Sequence, residues 1–409
     1  MKMDVKNIAD LKGDRAIWVI VFFLSVLSVL VVYSSTGSLA FKNKDGNTEF
    51  YMLKHLFILA AGLGLMYGAY RLPYRYYSKL SYLGLIVAIP LLIYTIVGGT
   101  NLNSANRWIS IPFIGITFQS SDLAKLVIIT YLSSQLTRRK DYLGDLKRGF
   151  IPVLIPVGLI CLLIFPANFS TSALIFLICA VMMFAAGTPF KFLASTVGIS
   201  IAGFIMVLLL AGSMPRLLPR ATTWLNRIEI YLGMVEDKEQ KDASNYQVEQ
   251  SKIAIASGGV LGKMPGNSTQ RNFLPHPYSD FIFAIIVEEY GTVVSAFVIL
   301  LYLILLYRGI RIAMKAASGF GMLLAFGLSF GLVTQAIINM LVAVGMFPVT
   351  GQPLPLVSMG GTSIWFTLIS LGMIQSVSRY SEETEAEQKL EETPGFMAHP
   401  ESEPQIQSV

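Results

Sequence analysis

Ten long apolar runs dominate this chain of 409 residues, at 16–35, 53–70, 80–98, 120–136, 149–165, 171–187, 190–211, 281–307, 318–346 and 361–379. Each is close to the roughly 20 residues that a helix needs to cross about 30 Å of hydrocarbon. The expected fold class is therefore an all-α polytopic membrane protein with ten transmembrane helices. Charged residues make up 14% of the chain, against about 25% in soluble globular domains, and that excludes the soluble class. Ser38-Leu39-Ala40 after the first run loosely resembles a signal-peptide cleavage site, but a twenty-residue apolar core is too long for a typical signal sequence. The run is read as a helix.

Basic residues set the orientation. Lys2, Lys6, Lys12 and Arg15 precede the first run, Arg71, Arg75 and Lys79 follow the second, Arg138, Arg139, Lys140, Lys147 and Arg148 follow the fourth, and Arg308, Arg311 and Lys315 follow the eighth. In a ten-span chain all of these fall on one side, and the opposite short loops carry only Lys42, Lys44, Lys54 and Arg107. Cytoplasmic loops concentrate Lys and Arg, so both termini are expected in the cytoplasm. The chain then divides into a cytoplasmic N-terminus (1–15), a membrane domain (16–379) and an acidic tail (380–409) whose Glu, Pro, Ser and Gln content reads as disordered. One large loop, about 212–279, falls on the extracytoplasmic side. Its stretch Trp224, Leu225, Ile228, Ile230, Tyr231, Leu232 reads either as a helix lying on the membrane surface or as a loop helix packed on the bundle.

Cys161 and Cys179 lie in apolar runs, where a thiol behaves as a small hydrophobe, and His55, His276 and His399 are scattered. No redox cofactor is expected. The net charge of +6 averages a basic body with a tail of eight glutamates and one lysine. That basic excess suits loops facing anionic membrane lipid, and without an interleaved basic and aromatic groove no nucleic-acid partner is expected.

Charge within a membrane helix is costly and marks function by default. Lys125, Glu288 and Glu289 are the clearest cases, unless they simply pair with one another or Lys125 snorkels to an interface. Three outer-side segments are also unusually polar and rich in Gly and Pro: 98–125, 258–284 and 339–363. Simple connections would not need this, and together they read as the lining of one outward-facing site. Asp280 stands where the eighth span begins, a position at which an aspartate can cap free N–H groups. Ser279 can equally be the cap and leave Asp280 free for chemistry. Gly351, Gly360 and Gly361 need do no more than permit turns.

The stretch from Asn339 to Ser363 reads Asn, five residues, Gly345, then Pro348-x-x-Gly351-x-Pro353-Leu354-Pro355, and finally Ser358-x-Gly360-Gly361-Thr362-Ser363. It resembles the signature of the SEDS family, the FtsW, RodA and SpoVE proteins of bacterial division, elongation and sporulation. Asn106-Arg107-Trp108-Ile109, Gln119 to Lys125, Tyr246-Gln247, Gly258-Gly259 with Gly262-Lys263, and Asp280-Phe281-Ile282-Phe283-Ala284 followed by Glu288-Glu289-Tyr290-Gly291 fit the same family in order. The chain departs from it at Gln119-Ser120-Ser121-Asp122, where the family commonly has Gln-Pro-Ser-Glu, at Met359, and at Pro166-Ala167-Asn168, where a Pro-Asp is common.

The resemblance implies a peptidoglycan glycosyltransferase of the cytoplasmic (inner) membrane that polymerises lipid II on its outer face. Joining the sugars requires a base to take a hydroxyl proton, which one carboxylate can do. The leaving lipid pyrophosphate requires positive charge. The implied assignments are Asp280 as base or metal ligand, Arg107 and Lys125 at the pyrophosphate, and Trp108, Gln119, Ser358 and Thr362 lining the site. Glu288, Glu289, Asn339, Gly360 and Gly361 take structural or coupling roles. A divalent cation, Mg2+ or Mn2+, is expected as an assistant bridging the pyrophosphate, because no cage of several carboxylates is legible. The implied partners are a class B penicillin-binding protein, which is a transpeptidase, and other proteins of the division or elongation machinery. The Asn-Arg-Trp-Ile-Ser-Ile-Pro and His-Pro-Tyr-Ser-Asp runs lean towards the division branch. The rival readings are the elongation branch, a lipid II flippase, and a scaffold that only anchors its transpeptidase.

Overall fold

A helix stands at each of the ten apolar runs in the computed structural model, which describes residues 12–37, 39, 47–102, 105–111, 116–213, 238–275 and 277–392. In chain order these are α1 (Arg15–Ser35), α2 (Thr48–Arg71), α3 (Arg75–Gly98), α4 (Ser120–Arg138), α5 (Ile151–Ile164), α6 (Phe169–Ala185) and α7 (Phe190–Ser213), and beyond the helix α8 (Lys238–Gly258) in the long loop, α9 (Ile282–Lys315), α10 (Gly319–Ala343) and α11 (Ser363–Glu392). Seven of the ten are long and apolar enough to cross a membrane by themselves: α1, α2, α3, α5 with its preceding turn, α7, α9 and α10. The others fall short for visible reasons. α6 has 17 residues, α4 carries Asp122, Lys125 and Arg138, and α11 ends in a charged third. The fold is that of a mostly helical multi-pass membrane protein.

Short polar side chains start several of the helices. Asp14 Oδ1 accepts from Ala16 N at 2.9 Å, Asn168 Oδ1 from Thr171 N at 3.3 Å, and Ser318 Oγ from Gly321 N at 3.1 Å, each satisfying an N–H that the helix itself leaves unpaired. The core runs through Ile17, Leu24, Ile128, Leu132, Ile175 and Leu324, all buried. Phe57, Ile86, Leu162 and Ile199 are each more than 60% exposed, the outward apolar surface that a bilayer covers. Small residues let helices touch: a Cβ on Gly372 of α11 would lie 2.4 Å from the Met66 carbonyl of α2, the close approach typical of membrane bundles. α7 stands off the bundle, held to α6 by Phe204 stacked on Phe169 at 4.4 Å.

Two features go beyond the sequence reading. A three-stranded antiparallel sheet, β1 (Thr100–Leu102), β2 (Ala105–Ile111) and β3 (Ile116–Gln119), fills the polar segment between α3 and α4. Its strands are too short to show a period-2 pattern against the flanking polar residues. The last helix also continues past Arg379 to Glu392, where disorder is the sequence expectation. Glu, Lys, Gln, Leu and Ala are strong helix formers, and the helix above supplies the nucleus that an isolated peptide would lack. The 224–232 stretch and residues 393–409 lie outside the described residues.

Candidate active site

The segment 351–362 is irregular backbone folded into the helical bundle, so its polar groups need partners from the protein. Side chains from four helices supply them. Ser28 Oγ donates to Val357 O at 2.8 Å, Tyr302 OH to Pro355 O at 2.5 Å, Gln335 Nε2 to Pro353 O at 2.8 Å, and Asn339 Nδ2 to Gln352 O at 2.8 Å. Gln352 Nε2 donates in turn to Thr171 Oγ1 of α6 at 2.7 Å. Gly351 and Gly361 have φ of +64° and +57°, a conformation that glycine adopts without strain. Gly360 is in contact with the Ser363 side chain: a Cβ there would sit 3.1 Å away.

This loop holds the approach to Asp280. Ser358 Oγ donates to Ser279 O at 2.7 Å, Met359 N to Tyr278 O at 2.9 Å, and Asn339 Nδ2 to Asp280 O at 3.0 Å. The backbone of 278–280 is thus pinned while Asp280 itself remains partly exposed. Its Oδ1 accepts from Ser279 Oγ at 2.9 Å, and Oδ2 faces Gly351, where a Cβ would sit 3.5 Å away. The N-cap of α9 is Phe281, so neither Asp280 nor Ser279 occupies the capping position and the capping alternative falls. Burial, and then the Asp280 carboxylate, push the Tyr278 phenol above its ordinary range. Its proton stays on through neutral pH.

The sheet joins the same assembly. Thr362 Oγ1 donates to Thr117 O and accepts from Gln119 N, both at 3.3 Å, and Trp108 on β2 pairs in register with Gln119 on β3. All three polar segments singled out in the sequence therefore meet. Ser358 and Thr362 are buried and act on backbone, so they shape the site from behind. Gln119 is buried too, its Nε2 donating to Ser121 Oγ at 2.9 Å. Trp108 is half-buried. The Arg107 side chain lies outside the described residues.

The three intramembrane charges do not pair with one another. Lys125 Nζ donates to Gln335 Oε1 at 2.5 Å and lies 3.7 Å from Asp122 Oδ1. Its side chain is 14% exposed, and through Gln335 it braces the Pro353 carbonyl. Glu288 accepts from Lys263 Nζ at 2.8 Å, Ser268 Oγ at 2.5 Å, Thr269 Oγ1 at 2.9 Å and N at 3.1 Å, and Gln270 N at 3.3 Å. Glu289 accepts from Ser34 Oγ and from Ser268 N at 3.4 Å. Both glutamates clasp the loop that precedes α9 to that helix beside a break at Gly291, where φ is 77° and ψ 179°. Lys263 N and Thr292 N donate across that break to Glu288 O and Gly259 O at 2.9 and 3.0 Å. A Cβ on Gly291 would lie 2.2 Å from Val260 O.

Gln335, Tyr278 and Ser28 join the candidate site without having been singled out from the sequence. Gln335 and Asn339, four apart in an otherwise apolar helix and so on one face, were the available signal. Asn168, where the family often has an acid, is the cap of α6. Next to it a cavity of about 350 Å3 opens between α6, α10 and the 347–352 loop, with Phe169, Leu174, Leu177 and Phe347 on its apolar walls and Thr350 and Gln352 at its polar end. Among the described residues no three His, Cys, Asp or Glu side chains group as a metal site. Asp280 offers one carboxylate, which fits a cation shared with a phosphate-bearing substrate rather than one caged by protein alone.

Residues 14–383 match the family of cell cycle proteins FtsW, RodA and SpoVE. Stage V sporulation protein E of Bacillus subtilis is 31% identical over 372 residues, covering 90% of this chain and 97% of that protein. The probable peptidoglycan glycosyltransferase FtsW of Geobacter sulfurreducens is 31% identical over 383 residues, covering 92% and 97%. Among solved structures, a chain of a peptidoglycan synthase complex that coordinates polymerisation and crosslinking aligns at TM-score 0.70 and 23% identity over 90% of this chain and 98% of that one. The rod-shape-determining protein RodA of Thermus thermophilus aligns at TM-score 0.63 and 21% identity over 90% and 97%. The fold is shared with both structures, and by sequence this chain belongs to the FtsW/RodA/SpoVE family, the SEDS proteins.

Proposed function

We propose that the chain is a peptidoglycan glycosyltransferase that polymerises lipid II at the outer face of the cytoplasmic membrane. The observation that carries this reading is Asp280: a partly exposed carboxylate on a backbone pinned by Ser358 and Asn339. Pinning the backbone holds the carboxylate in place while part of it faces solvent, which is what preorganisation requires.

In this reading Asp280 accepts the proton of the acceptor's GlcNAc 4-hydroxyl as that oxygen bonds to the anomeric carbon of the donor's MurNAc. The bond from that carbon to the pyrophosphate breaks on the opposite face, configuration inverts, and undecaprenyl pyrophosphate leaves with the electron pair. The leaving group is already a good anion, so the second carboxylic acid of a glycosidase is not needed. Arg107 supplies positive charge to the phosphates and Trp108 packs against the substrate. Lys125, tied to Gln335, holds the loop. A Mg2+ or Mn2+ ion held by Asp280 and the substrate would supply further charge neutralisation.

The ten helices take the arrangement with both termini cytoplasmic, which sets Asp280 at the outer end of α9. Two further readings complete the proposal: a class B penicillin-binding protein as partner, in keeping with the crosslinking complex whose chain shares this fold, and a septal role, in keeping with the FtsW names of the relatives. Incubating purified protein with labelled lipid II, alone and with its cognate transpeptidase, and with moenomycin to silence synthases of the other class, tests the reading. Glycan ladders are expected; folded protein that yields none with its partner present moves the assignment to transport or scaffolding.

A further inference from the structure

His55 of α2 is a buried histidine that takes no part in the chemistry assigned to Asp280. Its side chain is 1% exposed, and Nε2 lies 2.8 Å from Ser28 Oγ of α1. That hydroxyl also reaches Val357 O of the irregular loop at 2.8 Å. A serine hydroxyl has a single proton to give and lone pairs to receive, so the two contacts fix each other's direction. With the proton of Ser28 on Val357 O, Nε2–H of His55 donates to Oγ and Nδ1 is left bare. Nδ1 is buried and has no hydrogen-bond partner, which suits a bare nitrogen. The reverse arrangement would direct the Ser28 proton to Nε2, put the imidazole proton on Nδ1 where nothing accepts it, and leave the Val357 carbonyl without that donor. Two orphaned buried groups are costlier than one bare lone pair.

The place of this relay in the loop gives it leverage. Leu356, beside Val357, has φ of +69°, a left-handed conformation in which a leucine persists only when its surroundings hold it. The carbonyls on either side of it are the ones held: Tyr302 OH donates to Pro355 O at 2.5 Å, and Ser28 Oγ to Val357 O. Immediately after Val357, Ser358 Oγ and Met359 N bond the carbonyls of Ser279 and Tyr278, the backbone that carries Asp280. α2 is itself fixed against the start of α11, where the loop ends, because Trp365 Nε1 donates to Ile58 O at 2.9 Å, less than one turn from His55. We infer that His55 is a positioning residue for the reaction at Asp280: its neutral imidazole, protonated on Nε2, orients the hydroxyl of Ser28 onto Val357 O and so holds Leu356 and the turn that pins residues 278–280. The inference rests on the reading of Asp280 as the reacting carboxylate.

Two measurements on the full-length protein test it. The first needs no activity. The chain has three histidines, so the nitrogen NMR spectrum of histidine-labelled protein reconstituted in bilayers is simple, and His55→Gln identifies the signals of His55. A protonated Nε2 and a bare Nδ1 at neutral pH are expected; a proton on Nδ1, alone or together with one on Nε2, would overturn the relay whether or not the protein polymerises anything. The second is kinetic, per folded molecule. His55→Leu removes the donor and is expected to lower kcat roughly ten- to hundredfold, the scale of a displacement of about 1 Å at a reacting group, with KM close to wild type. Glutamine places an amide N–H the same number of bonds from Cα as Nε2, so His55→Gln is expected to recover most of the rate. Ser28→Ala should match the loss in His55→Leu, and the double variant should lose no more than Ser28→Ala alone, since His55 acts only through that hydroxyl. Wild-type kcat in His55→Leu, no recovery in His55→Gln, or losses that multiply in the double variant would each overturn the assignment, and the last two are what a mere packing role for the ring predicts. Wild-type protein that makes no glycan with its transpeptidase present fails the reading of Asp280 instead, and the tautomer still decides the relay.

Discussion

Asp280 and Glu288 are two carboxylates eight positions apart at the same end of α9, and their surroundings are opposite. Glu288 is fully buried and accepts bonds from Lys263, Ser268, Thr269 and Gln270, which consumes its charge in holding the loop before α9. Asp280 is partly exposed; its carboxylate accepts from Ser279 Oγ, and further bonds at its position act on its backbone carbonyl and on that of Ser279. Buried, saturated charge holds structure; a partly exposed carboxylate on a pinned backbone is within reach of a substrate. Position along the chain does not separate the two. The hydrogen bonds do.

The largest effect expected on the structural side is at the break between them. Gly291→Ala forces a Cβ to 2.2 Å from the Val260 carbonyl at φ 77° and ψ 179°, a region essentially reserved for glycine. The variant should fail to give monodisperse protein by fluorescence-detected gel filtration, and a normal profile would mean that the clasp does not depend on this crossing. Lys125→Met should cost about 3 kcal/mol, because it leaves Asp122 as a buried charge without its partner. If Lys125 braces the loop through Gln335, then Gln335→Leu should lower kcat with little change in KM, and a Lys125 variant that raises KM alone would return the lysine to the pyrophosphate.

Smaller effects sharpen the contrast from the reactive side. Thr362→Val removes two hydrogen bonds between β3 and the loop, each contributing about 1 kcal/mol, and should lower the melting temperature by a few degrees while polymerisation persists. EDTA should reduce the rate of polymerisation without abolishing folding, and full activity after chelation would remove the cation from the account.

The helices were legible from the sequence because membrane spans are written in local composition: each of the ten runs carries a helix. The end of α11 and the small sheet were not. Glu382 to Glu392 becomes helical only because the buried part of α11 nucleates it, and strands as short as Thr100–Leu102 leave no periodic trace. Within the site, the irregular loop showed itself through Pro348, Gly351, Pro353 and Pro355, and Asp280 through its place at the start of the eighth run and the Asp280-Phe281-Ile282-Phe283-Ala284 match to the family. The partners did not show. Lys125 meets Gln335 across 210 positions, Glu289 meets Ser34 across 255, and Thr362 meets Gln119 across 243, and no local pattern encodes a pairing of that kind.

The contrast between the two carboxylates is tested most directly by measuring melting temperature and lipid II polymerisation on the same preparations of Asp280→Asn and Glu288→Gln. Asparagine keeps the size of the side chain but cannot take a proton, so Asp280→Asn should melt like wild type and lose 10²- to 10⁴-fold in rate, roughly the contribution of a positioned base. Glu288→Gln, with its charge-assisted bonds weakened in the interior, should melt several degrees lower yet retain activity per folded molecule. Polymerisation that survives in Asp280→Asn, or vanishes in a fully stable Glu288→Gln, would contradict the division of labour between them.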